Sequence, residues 1–370
     1  MTMRELTYQV SFNTPAFLGN AEQQAQWRTP PFKALLRQWW RVVKAPEVGY
    51  DRRTLLALEN VLFGSAGDDS GGGRSKVQLR LSSWSGGTVA SVPKGEMVRH
   101  DEAPGHQVGA NLYLGYGPIG GQSRNAIAPL RDVNTLTIRG EEKHVQEIKK
   151  ALQLAAWFGT IGSRSRNGWG SIHFDGPDIQ GFADLRTSAV TAFVESRPLD
   201  ACLRLEWRNS MGCDAAGIPL IWRLLKVGPP NEKGQGTLIS FGTWDDVMQE
   251  LARIKIKVRT SDFFKFTGGG RDGHPDPLPR HVLSYPTGNN HKVTAKNWDT
   301  NGRLANQVLF KVHKRSNGFA ATIAHFPARV PEHMSAGLRL PNQTSVWKEV
   351  HRLLDAEKSQ GLIRIKGIQA

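Results

Sequence analysis

The chain has 370 residues, of which 48 are Lys or Arg and 33 are Asp or Glu, giving a formal net charge of +15 at pH 7. This length allows two domains with sizeable cores, and the basic excess is typical of proteins that bind nucleic acid or an acidic surface; a merely basic soluble protein is the alternative. Cys202 and Cys213 match no zinc pattern and exclude a disulfide framework, so we expect ordinary thiols in a reducing cytoplasm. Because the sequence has no apolar run of about 18 residues and no signal-peptide core, we expect neither a membrane span nor export.

The chain opens with a strand and a helix. LTYQVSFN (6–13) alternates apolar and polar residues, which predicts a strand. Thr29 suits an N-cap and Pro30 the first helical position, so a helix is expected over PPFKALLRQWWRVVK. Its apolar residues cluster in one stripe at helical spacing, which predicts a buried face. The stripe consists of Phe32, Leu35, Leu36, Trp39, Trp40 and Val43.

A row of cations adjoins this stripe: Lys33, Arg37, Arg41 and Lys44 recur at helical spacing. No Asp or Glu occurs between positions 23 and 46, so the sequence offers nothing nearby to neutralise the row. The row therefore predicts a surface for an anionic ligand, and a solvated helix flank is the alternative.

The middle of the first half alternates short elements and loops. Residues 51–62 suggest a second helix, and GSAGDDSGGGRS (64–75) suggests a flexible tether. KVQLRLSSW (76–84) and VGANLYLGYGP (108–118) have strand character. Residues 85–107 between them are polar and rich in turn residues, which predicts a projecting excursion.

Residues 159–171, GTIGSRSRNGWGS, form a loop with four glycines and two arginines. A glycine such as Gly162 lets a ligand approach the backbone, Arg164 and Arg166 suit phosphate oxygens, and Ser163, Ser165 and Asn167 add neutral donors. The loop follows a helix-like run (141–158) and leads into a strand (169–175), the reverse of the order in a phosphate-binding P-loop or dinucleotide fold. We therefore expect no nucleotide cofactor, and instead an extended polyanion held along its backbone.

These elements give the first half the order β, α, β, β, α, β, which is the ferredoxin-like order. The second half repeats the pattern more loosely. The sequence therefore predicts an α+β protein with two ferredoxin-like domains in tandem. Their expected bounds are 1–185 and 186–370, with the linker within 177–198. The predicted elements of the second half are a strand at 201–208, a helix within 244–258, a hairpin of 307–314 and 319–326, a helix at 345–358 and a strand at 362–368.

Other candidates for chemistry are weaker. The histidines at 100, 106, 173, 274, 281, 291, 313 and 325 have no metal-site spacing, so no metal is expected. His100 or His106 could act as the acid or base of a metal-free ribonuclease. Asp68 and Asp69 could bind a metal, but three glycines follow closely, which favours a solubilising loop. Residues 257–275 interleave phenylalanines with cations, which suits base stacking or, equally, a strand edge and a glycine turn. Trp169 is expected to be a core anchor.

Three of these segments together resemble the RAMP superfamily, the repeat-associated RNA-binding subunits of CRISPR effector complexes. FNTPAFLGN (12–20) resembles the family's first strand and turn, with Asn20 where a glycine is usual. RTPPFKALLRQWWR (28–41) resembles its "RPPSIKGALRFWWR" helix, and FGTIGSRSRNGWGS (158–171) its "GGIGSRSRRGFGS" loop. The likeness is greatest to the first-numbered subunit of the Cmr-type (type III-B) module, and it covers mainly the first half.

The resemblance implies two ferredoxin-like domains with RRM-like sheets and a cytoplasmic, non-catalytic subunit of a multi-protein complex. Such a subunit would hold the 3′ region of the crRNA and the paired target RNA, beside other RAMP subunits. By motif position, Lys33, Arg37, Ser163, Arg164, Ser165 and Arg166 would contact the RNA backbone. Together with Arg41, Gly162 and Asn167 from the residue patterns, these form the predicted RNA-binding set.

Two other functions remain open from the sequence. The first is a metal-independent endoribonuclease that processes CRISPR precursor RNA. The second is a structural end-cap whose basic faces meet acidic partner subunits.

Overall fold

The structure is a computed structural model of the chain and describes residues 2–65, 73–121, 124–230, 236–268, 272–287, 291–299 and 302–365. Asp68, Asp69, Arg271 and the last three residues of the strand predicted at 362–368 lie outside the described residues.

The strands of the described residues range in length from two to ten residues. They are β1 (Met3–Phe12), β2 (Gln78–Leu81), β3 (Met97–Arg99), β4 (Gln107–Gly109), β5 (Tyr116–Gly117), β6 (Ile119–Gly120), β7 (Asn134–Glu141), β8 (Ile172–Asp175), β9 (Ser196–Pro198), β10 (Met211–Cys213), β11 (Ile221–Leu224), β12 (Lys226–Pro230), β13 (Gly236–Ile239), β14 (Val308–Arg315), β15 (Gly318–His325) and β16 (Leu362–Arg364).

Within the described residues, five helices have 12 residues or more, and the others have six or fewer. The α-helices are α1 (Thr29–Lys44), α2 (Arg52–Phe63), α3 (Ala110–Gly115), α4 (Val145–Phe158), α5 (Thr187–Thr191), α6 (Leu199–Cys202), α7 (Trp244–Thr260), α8 (Pro279–Leu283), α9 (Lys296–Asp299), α10 (Glu332–Ser335) and α11 (Gln343–Asp355). The predicted helix at 30–44 is confirmed, although Arg28 rather than Thr29 occupies its N-cap position.

The first sheet has the strand order β2-β7-β1-β8, and all neighbouring strands are antiparallel. The predicted alternation in β1 is confirmed, because Tyr8, Val10 and Phe12 are buried under α1 and α4. The opposite face exposes Thr7 and Gln9, and no Phe, Tyr or Trp side chain of these four strands points there, although His173 of β8 does. That face is therefore polar and solvated, as one side of an antiparallel sheet often is.

The second sheet repeats the arrangement of the first. Its order is β14-β15-β11-β16, again antiparallel throughout, and α7 and α11 occupy the sequence positions that α1 and α4 hold in the first half. If the four strands of each sheet are numbered in chain order, their order across the sheet is second, third, first, fourth in both sheets. The protein is thus a mixed α and β structure built around two antiparallel sheets of the same topology.

Both faces of the second sheet are covered. One face packs against α7 and α11, and the other packs against α1 and α4 of the first half. Phe326, just after β15, contacts Trp39 of α1 and Phe158 of α4 at ring-centroid distances of 5.3 Å and 5.6 Å. The chain therefore forms four layers, sheet–helices–sheet–helices, and burial of these large rings holds the two halves together.

A buried lysine fixes the same junction. Lys311 of β14 is 1 % exposed, and its ammonium donates to the carbonyl of Ala155 in the last turn of α4 at 2.8 Å. A cation suits this position, because the C-terminal end of a helix is the negative end of its dipole. Burial nevertheless lowers the pKa of Lys311 well below its usual value. The second sheet is thereby tied to the point where the glycine and arginine loop begins.

Two predicted strands are wrong. Residues 201–208 contain the end of α6 and turns, and the first strand of the second sheet is β11 at 221–224. Residues 108–118 contain the end of β4, helix α3 and the short β5, because Asn111 of α3 donates to Asp245 of α7 at 2.7 Å and holds a helical turn there. The hairpin of β14 and β15 and the helices α2, α7 and α11 are confirmed.

Two predicted irregular segments are more ordered than expected. The excursion at 85–107 does not project freely, since Glu102 accepts two hydrogen bonds from Arg280, both at 2.7 Å. The linker region 177–198 contains α5 and β9, and its Phe182 is buried in the first core. Within the described residues, no helix is long and apolar enough to cross a membrane.

Candidate functional site

The loop at 159–171 is held to the first half by its backbone. The N–H of Ser163 donates to the carbonyl of Phe17 at 3.1 Å, and the N–H of Gly170 donates to the carbonyl of Pro15 at 3.0 Å. The hydroxyl of Thr14 donates to the carbonyl of Gly168 at 2.7 Å. The loop therefore lies against the segment that follows β1, so two of the three family-like segments are in direct contact.

The same loop also holds the second half. The N–H of Phe310 donates to the carbonyl of Arg166 at 3.0 Å, and the N–H of Val312 donates to the Ser171 hydroxyl at 2.9 Å. The Lys255 ammonium of α7 donates to the Asn167 amide oxygen at 2.8 Å. Because β14 is an edge strand, these bonds satisfy backbone groups that the sheet leaves unpaired. The loop is thus the joint between the two halves.

Two of its glycines are required by this packing. Gly162 has φ +98°, and a Cβ there would lie 2.7 Å from the carbonyl oxygen of Phe17. Gly170 has φ +60°, and a Cβ there would lie 1.9 Å from the carbonyl oxygen of Ile161. What approaches these glycines closely in the structure is the protein's own backbone. They shape the loop, in which Arg164 is exposed and Trp169 is buried.

The two arginines of the loop point into different depressions. Arg164 is exposed, has φ +57°, and donates to the carbonyl of Tyr116 at 2.7 Å. It lines a shallow depression together with Ser163 and Arg124. Arg166 is partly buried and lines a separate cleft of 520 Å³ between the two halves. The predicted loop residues thus face two surfaces.

The cleft brings five arginines together. Helix α1 contributes Arg41 and the loop contributes Arg166, while Arg208, Arg303 and Arg329 come from the second half. The remaining lining is Ala34, Gln38, Trp39, Val42, Glu206, Trp207, Asn209, Leu304, Ala305, Gln307, Leu309, Phe326, Ala328 and Pro331. Only one carboxylate, Glu206, is among these residues, so the cleft is strongly cationic.

The acidic residues of the described chain leave part of this charge unpaired. Glu206 accepts from Arg329 at 2.5 Å and pairs with Arg52 outside the cleft at 3.0 Å. Arg166, Arg208 and Arg303 form no ion pair with any described residue. Unpaired guanidinium groups at one cleft are the electrostatic signature of a site for an anion.

The environment of Arg208 shows how strongly the cleft favours an anion. Burial, together with the charges of Arg166 and Arg41, lowers the pKa of Arg208 to about 9. An arginine does not release its proton in a protein, so this electrostatic cost persists until a negative charge enters. Burial likewise lowers the pKa of Arg166.

The cation row of α1 is partly neutralised, contrary to the sequence expectation. Glu59 of α2 is fully buried and pairs with Arg37 at 2.6 Å and with Arg41 at 3.3 Å. Lys33 forms no ion pair within the described residues, and burial, followed by the charge of Arg37, lowers the pKa of Lys33. Of the three α1 residues predicted to bind RNA, Arg41 lines the cleft and Arg37 lies against α2.

The sequence prediction missed the three cleft arginines of the second half. Arg208 lies in a segment predicted as a strand, and no spacing links it to Arg303 or Arg329. The available signal was Trp207, since tryptophans beside basic residues are frequent in this chain. Trp207 lies below the guanidinium of Arg41 at 5.5 Å from its ring centroid.

The histidines named as catalytic candidates lie outside this cleft. His100 is 9 % exposed and contacts the Tyr113 ring, while His106 Nδ1 donates to the Asp101 carbonyl at 2.8 Å. His100 and His106 are neighbours, because the N–H of His100 donates to the carbonyl of His106. In the described parts of the chain, no group of His, Cys, Asp and Glu has a geometry that could hold a metal ion.

The remaining candidates lie apart from this cleft, and among them Phe263 is exposed. Trp169 is fully buried, which confirms the predicted core anchor. Residues 257–260 belong to α7 and not to a strand edge, Phe264 is buried, and Phe266 stacks on His291 at 3.9 Å. Cys202 and Cys213 are buried free thiols, and burial raises the pKa of Cys202 to about 11, as expected for an unreactive thiol.

Fold and site together define an α and β protein of two similar halves, with a cleft at their junction suited to a polyanion. The model of the RAMP superfamily matches residues 10–173, a range that includes α1 and the whole glycine and arginine loop. Residues 10–173 thus match the RAMP superfamily model, which confirms the resemblance found in the sequence.

Several solved structures are similar to the chain at low sequence identity and with TM-scores below 0.5. Cmr1 from Pyrococcus furiosus in its apo form is 14 % identical, with 99 % of each chain covered and a TM-score of 0.43. Chains of type III-B Cmr-beta complexes bound to cognate target RNA include one with 10 % identity, 95 % of this chain and 100 % of that chain covered, and a TM-score of 0.45. No curated protein shows significant sequence similarity to the chain.

Proposed function

We propose that the protein is a non-catalytic RNA-binding subunit of a type III CRISPR effector complex, which holds the backbone of the guide and target RNA through the arginine cleft. The observation that carries the proposal is the presence of three arginines without an ion pair, Arg166, Arg208 and Arg303, at one cleft of 520 Å³. Guanidinium groups bind phosphate oxygens in a bidentate manner, and a net charge of +15 favours a polyanion over a single small anion.

The architecture supports the same proposal. The βαββαβ connectivity and the shared strand order are those of ferredoxin-like, RRM-like domains, so we infer two such domains in tandem. RRM domains stack bases on sheet aromatics, but the first sheet exposes polar side chains and the second sheet is covered. For this chain, RNA binding through the junction cleft and the exposed Arg164 of the loop is therefore more favourable than base stacking on a sheet.

The family supports the place in a complex. In the Cmr-type subunits that the motifs resemble, sequence is recognised by pairing between guide and target, and the protein subunit holds the backbone. We therefore propose crRNA, target RNA and further RAMP subunits as the partners, in the cytoplasm. The Arg164 depression on the other side of the loop would extend the RNA path beyond the cleft.

The first experiment combines binding and cleavage. Purified full-length protein is titrated with a labelled single-stranded RNA, and the same samples are run on a denaturing gel with EDTA. We expect salt-sensitive binding of intact RNA, weakened by Arg166→Ala and, to a smaller extent, by Arg164→Ala, because Arg164 lies at an exposed and shallow surface. Gln146→Ala, an exposed change on α4, is the control.

The same samples separate the proposal from its two rivals. RNA fragments that disappear in His106→Ala would identify a metal-independent endoribonuclease and overturn the non-catalytic assignment. Absence of RNA binding at low salt by the folded wild-type protein would favour the end-cap whose basic surfaces contact acidic subunits.

A further inference from the structure

The cleft offers more than cations, because two carboxamide side chains also line it. Gln38 of α1 is exposed, and Asn209, next to Arg208 in the second half, also lines the cleft. Neither side chain forms a hydrogen bond with any described residue, whereas the third amide of the cleft, Gln307, is engaged with the carbonyl and N–H of Ala328. Two amides with free donors and acceptors thus face the same space as the unpaired arginines.

We propose that the cleft takes one unpaired nucleotide of the bound RNA, with its phosphates on the arginines and the hydrogen-bonding edge of its base on Gln38 and Asn209. This inference rests on the proposed function and adds base recognition to it. Carboxamides are suited to this role, since each presents a donor and an acceptor side by side, as does the edge of a nucleobase.

The size of the cleft favours an unpaired nucleotide over a duplex. A volume of 520 Å³ is that of a pocket for a small ligand, and it is enclosed on both sides by α1 and the start of β14. Its lining includes the buried apolar side chains of Trp39, Leu309 and Phe326 beside the arginines and amides. In a duplex, the base edges are already paired and are not free for the amides.

The test measures base preference and not only affinity. Full-length protein is titrated with labelled 12-mers of A, U and C and with one mixed 12-mer, alone or annealed to its complement. The variants are Gln38→Ala, Asn209→Ala and the double variant Arg166→Ala/Arg208→Ala, with Gln146→Ala as a glutamine control outside the cleft. Gln38 is exposed on a helix, where alanine is well tolerated, so folding is not at risk.

We expect the wild-type protein to prefer one base and to bind the annealed 12-mer at least 10-fold more weakly than the single strand. Gln38→Ala or Asn209→Ala should weaken binding of the preferred 12-mer by about 5- to 100-fold, change the others less than about 2-fold, and leave the salt dependence intact. The arginine double variant should weaken all 12-mers and flatten their salt dependence.

The outcomes separate this inference from the proposed function. Two results would overturn this inference. One is that the amide variants bind all the 12-mers as the wild-type protein does, and the other is that single strand and duplex bind with equal affinity. If the arginine variant still loses affinity in either case, the proposed function stands and only the inference fails. If the arginine variant also binds normally, the cleft is not the RNA site, and both proposals fail.

Discussion

Removal of the two most enclosed cleft arginines is the sharpest test of the proposed site. Arg166 and Arg208 come from different halves of the chain, line the same cleft, and have no carboxylate partner among the described residues. If Arg166, Arg208 and Arg303 neutralise three RNA phosphates, the slope of log K against log salt should be about −2 for a single strand. Arg166→Ala/Arg208→Ala should reduce it to about −0.7.

These slopes translate into a measurable difference. Between 50 and 200 mM salt the wild-type protein should lose roughly 20-fold in affinity, and the double variant about 3-fold. At constant low salt, two lost charge-assisted contacts of about 1.5 kcal/mol each amount to roughly 100-fold weaker binding. Fluorescence anisotropy with a labelled single-stranded RNA across a salt series measures both quantities.

A variant with the same change in net charge controls for nonspecific attraction. Arg80 and Arg131 are both exposed and lie outside the cleft, so Arg80→Ala/Arg131→Ala removes two charges without altering the proposed site. The control should keep a slope close to −2. Equal flattening in both double variants would show that only the overall charge matters and would refute the role of the cleft. Thermal unfolding should show only a small loss in the cleft variant, because the two arginines have no ion pair to lose and Arg208 gives up one hydrogen bond, to the Asn306 carbonyl at 3.1 Å.

Three further predictions concern the framework of the site. Glu59→Gln leaves two α1 arginines without their buried carboxylate and should lower the free energy of unfolding in urea by about 2 kcal/mol. This is less than the usual loss for a broken buried ion pair, because the arginines are partly exposed. An unchanged urea midpoint would contradict the prediction. Lys311→Met removes the hydrogen bond to the Ala155 carbonyl and also the cost of burying an ammonium group; because that cost exceeds the value of one hydrogen bond, stability should rise by about 1–2 kcal/mol at pH 7, and a loss above 1 kcal/mol would contradict this. Burial lowers the pKa of His281 to about 4 and of His351 to about 3, whereas in the unfolded chain each titrates near 6.5. The stability that these neutral histidines contribute is therefore fully present above pH 6.5 and is lost as the pH falls, by about 2 kcal/mol per histidine at pH 5. His351→Phe should accordingly weaken the pH dependence of thermal unfolding.

The sequence predicted elements whose pattern is local and regular. β1, α1, α7 and the β14–β15 hairpin have periodic apolar residues or a clear turn signal, and all are confirmed. The strand predicted at 201–208 failed because its short alternation carried no information about what would pair with it. At 108–118, a tertiary bond from α3 to α7 decides the conformation, and local propensity does not report such a bond.

In the site, too, the local features were predictable from the sequence and the long-range contacts were not. The glycine and arginine loop is recognisable because its residues are adjacent, but the partner of the α1 cations was not, because Glu59 reaches them only after α2 folds back on α1. The cleft itself combines positions 41, 166, 208, 303 and 329. No periodicity connects such distant positions, and only the docking of the second sheet on α1 and α4 brings them together.

The position of Arg166 explains why this loop can serve packing and binding together. Its carbonyl oxygen accepts a hydrogen bond from β14, while its guanidinium lines the cleft that β14 helps to form. The residue therefore reaches its binding position only when the two halves are docked, and Gly162 and Gly170 permit the backbone path that this requires. A change at either glycine should weaken the junction and the cleft together, whereas truncation of the Arg166 side chain leaves the backbone bond in place and removes only the charge. Comparison of unfolding and RNA binding for Gly170→Ala and Arg166→Ala thus separates the structural role of the loop from its role in binding.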